Sequence, residues 1–530
     1  MTTSAAGRAA TTGETAPAES APAESGSAEE PGPAARPAPA GPPRAPHRIP
    51  PGALARLGQG ARAVGSRAYW TTPRLVRGLT ALSLATLLGL GATATTVLGG
   101  ARDGTDTIGH QAAPQATRAA DLYFALSDMD AQAANLLLVG ADPDYTTLRK
   151  QTLDTYEQRR AQADNDLQQA AQAAAADPAG QRAVQQVLGR LGSYEALVAR
   201  AQLLEEQAKA PAGQPSPAAL DAYRQATDLL RQQLLPAADQ VTAANEATVE
   251  QVYTEHRDAL GSGWWWLLAV GLVALAALLG LQRALAVRYR RVVNPALAGV
   301  TLLTGVALAI GLHLVSRADD HLVTAKSNAY DSVIALSRAR AVAFDMNADE
   351  SRYLTDPSRA VAYEQSFLDK TQAIAHLDGA TLAGYNAQLV AAAARHRADH
   401  AAVPFGGYLG TELRNITFPG EQDAADRVLT AFQQYQQDDR KIRELRDAGR
   451  LKEAVTLNTG LSQGQSNYDF DQLSTAIGDT IAVNATAMDS ALAATDGDLD
   501  ATTEALAAGA LAAALALTAL GVRPRLREYR

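Results

Sequence analysis

Two apolar runs dominate the middle of the chain, Trp264–Leu281 and Ala296–Val315, joined by a short turn containing Arg283, Arg288, Arg290 and Arg291 and no acid. Each run approaches the roughly 20 apolar residues a membrane-spanning helix needs. Two further runs, Gly78–Leu98 and Ala505–Val522, bring the predicted spans to four. Gly78–Leu98 exceeds a signal-peptide core and follows a long upstream region, so an uncleaved anchor is expected. Trp264, Trp265 and Trp266 open the second span, and Trp70 precedes the first. Indole rings favour the membrane–water boundary, so all four are assigned to it, and the bilayer is the first expected partner.

The sequence between the spans has helical periodicity. Leu122, Leu126, Met129, Ala133, Leu136 and Gly140 recur every three or four residues, the stripe of a helix with one buried face. Turn signals at Asp142-Pro143, Asp177-Pro178 and 211–217 divide 99–262 into four helices. Pro236 is expected to kink the fourth. Residues 316–504 repeat the plan: Ala-Leu-Ser recurs at 125–127 and 335–337, Asp-Pro at 142 and 356, and Tyr-Glu-Gln at 156 and 363. The expected fold is all-α, a duplicated span–bundle–span unit with four transmembrane helices and two extracellular up-down four-helix bundles. The expected segments are a disordered Pro/Ala-rich tail (1–53), a basic juxtamembrane stretch (54–77), spans at 78–98, 263–282, 296–315 and 505–522, bundles at 99–262 and 316–504, a basic turn (283–295) and a basic tail (523–530). The second bundle carries an insertion at 404–425, expected to lie on the membrane-proximal side.

Charge orients this arrangement. Residues 1–77, 282–295 and the tail after Val522 carry net charges of +4, +4 and +3, whereas 101–262 and 316–504 carry −9 and −11. Basic segments stay in the cytoplasm, which puts both termini and the arginine turn inside a cell-membrane protein and both bundles outside. Acidic bundles exclude nucleic acid as a partner, since phosphate binding needs basic surface. The absence of cysteine excludes disulfides and thiolate chemistry.

No phosphate loop, nucleophile elbow or zinc-protease motif occurs, and no cofactor or enzymatic activity is expected. The spans are almost free of ionisable groups, which argues against a transport path. His396 and His400 lie four residues apart, a spacing that can hold a metal, though a solvated helix face is its commoner use. Both are expected near Asp319, Asp320 and His321. The stretch Asn347–Pro357 places Asn347 and Ser351 on a core stripe with Asp349, Glu350 and Arg352 flanking it, at the membrane-distal end. Polar groups there can bind a small ligand or a protein; ordinary capping and salt bridging is the plainer alternative.

The layout resembles the four-helix-bundle sensor modules of chemoreceptors and sensor kinases. NADESRYLTDP at 347–357 and GTELRNITFPGEQDAA at 410–425 resemble actinobacterial four-span membrane proteins of the GlnX type. The resemblance implies a relay of amino-acid availability, in which an extracellular solute-binding lipoprotein senses glutamate or aspartate and a cytoplasmic Ser/Thr kinase receives the signal. Within these two stretches Asn347, Asp349, Glu350, Arg352, Arg414 and Asn415 are the residues assigned to ligand or partner contact. Direct small-molecule sensing and a structural envelope scaffold are the alternatives, and a homo-oligomer is compatible with each.

Overall fold

The computed structural model describes residues 72–173, 178–289 and 294–527. The expectations for 1–53 and most of 54–77, with Trp70, Arg290 and Arg291, lie outside the described residues.

Four long helical rods organise the described chain: Arg74–Val139, Pro217–Arg288, Pro295–Thr355 and Ser466–Pro524, of 66, 72, 61 and 59 residues. At about 1.5 Å per residue each is on the order of 90–110 Å long, some three times the hydrocarbon thickness of a bilayer. All four contain a stretch long and apolar enough to cross a membrane. The chain is thus a multi-pass membrane protein, and in the first three rods the span runs into the bundle as continuous helix, while the fourth breaks at Leu499–Asp500.

The first rod is α1 (Thr72–Asp106), a π-helical turn (Thr107–Ala112) and α2 (Ala113–Val139). Gly140, at φ +55°, stops α2, and the Asp142 carboxylate caps the next turn by accepting from Asp144 N at 3.0 Å, as the Asp-Pro signal predicts. The chain returns through α3 (Thr146–Ala173) and α4 (Pro178–Ala208). The second rod is α5 (Pro217–Leu229), a π turn (Leu230–Leu234) and α6 (Leu235–Tyr289). Pro236 removes one ladder donor, and the widened turn just before it relieves the ring clash that would otherwise break the helix.

The third rod is α7 (Pro295–Val323), a π turn (Thr324–Tyr330) and α8 (Asp331–Thr355). Here the up-down plan departs from expectation. Its second helix is divided into α9 (Ala360–Ile374) and α10 (Leu382–Ala398), and part of the 404–425 insertion folds as a short helix, α11 (Gly407–Arg414). After α12 (Glu421–Asp447) comes another short helix, α13 (Leu451–Thr459). The fourth rod is α14 (Ser466–Asp498) and α15 (Ala501–Arg527).

Gly407 starts α11 at φ +73°, and a Cβ there would lie 2.6 Å from the Ala373 carbonyl oxygen and 2.8 Å from that of Ile374. Only glycine fits both the dihedral and the close backbone approach. Gly407→Ala should cost about 2 kcal/mol, from left-handed strain plus overlap. Thermal unfolding of the detergent-solubilised protein would show the lowered midpoint.

In the apolar region Leu87, Leu278, Val300 and Ala514, one from each rod, form a buried cluster. Leu82, Leu88, Leu272, Leu279, Leu302 and Leu506 point outward and are exposed, the distribution of a bundle solvated by lipid. Trp265 and Trp266 are exposed while Trp264 packs inward, and Arg288 is exposed at the connector end of α6.

The bundles are not independent. The repeat-related helices α2 and α8 pack together, and Phe124 meets Phe344 edge-on at 4.9 Å between centroids. Leu138 of the first bundle is buried in a cluster with Tyr353, Leu354, Ile442 and Val455 of the second.

Candidate functional site

Where α2 and α8 meet, the core contains a charged cluster built around Arg352. Its side chain has no exposed area, although arginine is rarely buried without partners. It donates to Asp130 of the first bundle, to Asp345 at 3.1 Å and Asp349 at 2.5 Å on its own helix, and to the Tyr223 hydroxyl at 3.2 Å. Lys370 from α9 closes the other side, 2.7 Å from Asp345 and 2.5 Å from Asp349. Asp130 also accepts from Tyr194 at 3.0 Å and Thr227 at 2.8 Å. Three carboxylates, two cations and three hydroxyls thus satisfy one another across the bundle interface.

Burial alone would push the Arg352 guanidinium toward neutrality, but Tyr223, Asp130, Asp349 and Asp345 outweigh it and hold its pKa above the ordinary arginine value. Burial likewise opposes ionisation of Asp345, yet Lys370, Arg352 and Arg231 draw its carboxyl below the usual range. Arg352 and Asp345 are therefore held charged and paired inside the core, while burial lowers Lys370 against the pull of Asp345 and Asp349. Buried ionic groups of this kind can fix register between elements more than they add net stability.

The next face of α8 is different. Glu350, buried, accepts from Ser466 at 2.8 Å and Asn458 at 3.2 Å, leaving its second carboxylate oxygen without a partner. Ser351 bridges the bundles by donating to Asn135 at 2.6 Å. Burial, then the charges of Asp439 and Asp438, raises the Glu350 carboxyl well above its usual range. Burial raises Asp439 to about 6 against the pull of Arg443, and burial with the neighbouring Asp469 raises Asp438 to about 7. Glu412, on the buried face of α11, is raised to about 7 by burial and Glu421.

These elevated groups set a pH dependence. A carboxyl whose folded pKa exceeds its unfolded one stabilises the fold below the unfolded value, near 4, and loses that contribution as pH rises through the folded value. The unfolding midpoint should therefore fall between about pH 5 and pH 8, and Asp438→Asn should flatten the slope. Thermal scans in detergent across that range check both; a rising midpoint would contradict the assignment.

Of the residues singled out from the sequence, Asn347, Asp349, Glu350 and Arg352 come together. All four are buried, whereas the sequence stripe placed only Asn347 and Ser351 toward the core. Within its own bundle Asp349 packs against Lys370, and Glu350 against Ser466 and Asn458, while Arg352 is covered by Asp130 and Tyr223 of the first bundle. Arg414 and Asn415 lie elsewhere. Arg414 donates to Phe405 O at 3.1 Å; Asn415 donates at 3.0 Å to Ser327 O, Asn328 O and Ser332 Oγ, pinning the insertion to the third rod's π turn. His396 is buried and His400 half-exposed, the latter beyond the end of α10 rather than on its face. His321 is not with them: it faces Asp498 at 3.4 Å, and Asp319 pairs with Arg257.

Asp130, Tyr223 and Lys370 were not found from the sequence. One local likeness bears on Asp130: Asp128-Met129-Asp130-Ala131 resembles Asp345-Met346-Asn347-Ala348, although it lies seven residues, two helical turns, out of the register set by Ala-Leu-Ser.

Between the rods, nearer the membrane, a groove of about 450 Å³ is lined by Glu246, Glu250, Lys326, Asp331, Arg338 and Tyr408 among others. Lys326 pairs with Glu250 and lies 3.4 Å from Asp331; Arg338 lies 3.2 Å from Glu246. Both signs of charge therefore face one cleft.

Residues 104–254 match the actinobacterial sensor domain. The match begins in the last turn of α1, passes through the whole first bundle and ends within α6. It covers the segment that supplies Asp130, Tyr194, Tyr223 and Thr227, and it supports a sensor family of Actinobacteria. No curated protein and no solved structure matches the chain.

Proposed function

We propose that the protein is a membrane signal relay, not an enzyme, that couples an extracellular solute to a cytoplasmic partner. The observation that carries this reading is the continuity of the rods: the helices that meet at Arg352 extend unbroken through the apolar region. A change in how α2 sits on α8 has no loop in which to dissipate. Small shifts at helix interfaces of about 1–2 Å are an established form of signal. With both termini and the arginine turn inside, the cytoplasmic readout surface is the basic turn and tails.

The finer reading follows the resemblance to four-span proteins of the GlnX type. An extracellular solute-binding lipoprotein, loaded with glutamate or aspartate, docks on the bundles, and a Ser/Thr kinase reads the inner face. In-cell cross-linking of the tagged full-length protein, with and without these amino acids, tests it by mass spectrometry. Nutrient-dependent recovery of a lipoprotein and a kinase is the expected result; constitutive partners indifferent to nutrients would instead mark a scaffold.

The groove at Glu246, Lys326 and Arg338 favours a second reading, direct sensing. Its juxtaposed cations and carboxylates suit a zwitterion such as a free amino acid. Stabilisation of the purified full-length protein by amino acids, lost in Lys326→Met, separates direct sensing from the relay through a lipoprotein.

A further inference from the structure

We propose that His396, His400 and Asp426 form a binding site for a divalent transition-metal ion of the zinc class. Each offers one ligand atom, and these atoms lie within 4.8 Å of one another. His396 Nε2 is 3.8 Å from Asp426 Oδ1, and His400 Nε2 is 3.6 Å from Oδ2. Those separations are too long for hydrogen bonds. They lie close to the spacing of about 3.3 Å between ligands that share a tetrahedral ion at 2.0–2.1 Å.

Three further details point the same way. His396 Nδ1 lies 3.1 Å from the Ala402 carbonyl, which can only accept, so the proton sits on Nδ1 and the Nε2 lone pair faces Asp426. That is how metal-ligating imidazoles are commonly oriented, with the far N–H held by a carbonyl. Asp426 Oδ1 is buried and has no hydrogen-bond partner, a cost that a cation would remove. Gln422, one turn before Asp426 on α12, has its amide nitrogen 3.3 Å from His396 Nε2. Turning that amide over presents its oxygen as a fourth ligand. A core histidine satisfied by Ala402 and Gln422 alone would leave Asp426 Oδ1 unexplained.

The ion would tie the C-terminal end of α10 and the turn after it to the first turns of α12. The 404–425 insertion lies between these two anchor points, and its Asn415 holds the π turn of the third rod. Occupancy would therefore stiffen the contact between the insertion and a rod.

The test uses full-length protein in detergent, stripped with chelator and titrated with Co²⁺, then Zn²⁺. The expected result is one Co²⁺ per chain, with the visible absorption of a four-coordinate ion and displacement by Zn²⁺. His400→Ala and Asp426→Asn should each weaken binding about tenfold or more, while His376→Ala, at an exposed histidine outside the group, should not. His400 is half-exposed, so its loss leaves the core intact. Absence of the visible band, or binding unchanged in His400→Ala and Asp426→Asn, would overturn the proposal.

Discussion

Arg352→Ala should destabilise the protein by about 3–5 kcal/mol, the usual cost of removing one partner from a buried ionic group. Without the guanidinium, Asp130 keeps only hydroxyl donors among its side-chain partners, and Asp345 and Asp349 are left to share Lys370. Chemical unfolding in detergent, followed by circular dichroism, measures the loss. A double-mutant cycle isolates the inter-bundle pair. Asp130→Asn should cost less in an Arg352→Met background than in the native one, with a coupling of about 1 kcal/mol or more. Strict additivity would show that the contact across the interface contributes nothing of its own.

Phe344→Ala is expected to cost about 3–5 kcal/mol as well, through transfer and cavity effects rather than charge. The ring stacks edge-on between Phe124 of the first bundle, at 4.9 Å, and Phe470 of α14, at 4.7 Å. Phe344→Leu, which keeps most of the volume, should cost no more than about 1.5 kcal/mol. Because the ring serves both bundles, both should melt earlier and together. The cysteine-free chain allows a fluorescent label at exposed Leu188→Cys in the first bundle or Val361→Cys in the second. Coincident transitions from the two labels would show one cooperative unit; separate ones would show two.

Much of this fold was legible in the sequence because lipid imposes strict terms. A span must be apolar over a fixed length, and helical periodicity must resume on either side. The runs at 78–98, 263–282, 296–315 and 505–522 met those terms. The turn chemistry at Asp142 and the duplication were equally local. What periodicity could not convey was partnership. The stripe of α8 marks one buried face, but Asp349 and Glu350 lie against Lys370, Ser466 and Asn458 of their own bundle and Arg352 against Asp130 and Tyr223 of the first, so all three are inside. The 404–425 insertion was recognised as non-continuing by its glycines and prolines, yet its short helix depends on tertiary support at Gly407. The His396/His400 spacing was visible; Asp426, contributed by another helix, was not. Sequence spacing reports neighbours along one helix, whereas the Arg352 cluster is assembled from α2, α4, α5, α8 and α9.

On the proposed relay, the state of the Arg352 cluster is transmitted along the rods to the connector end. Spin labels at Val287→Cys on α6 and Leu520→Cys on α15, both exposed positions, report on that end in a bilayer disc. The distance distribution is compared between the otherwise native chain and Asp130→Asn, which removes one charge from the cluster while keeping its shape. A shift of about 1–2 Å, or a redistribution between two distances, is the predicted result. Superimposable distributions would contradict the account, since the rods would then be rigid supports and the cluster only a structural clasp.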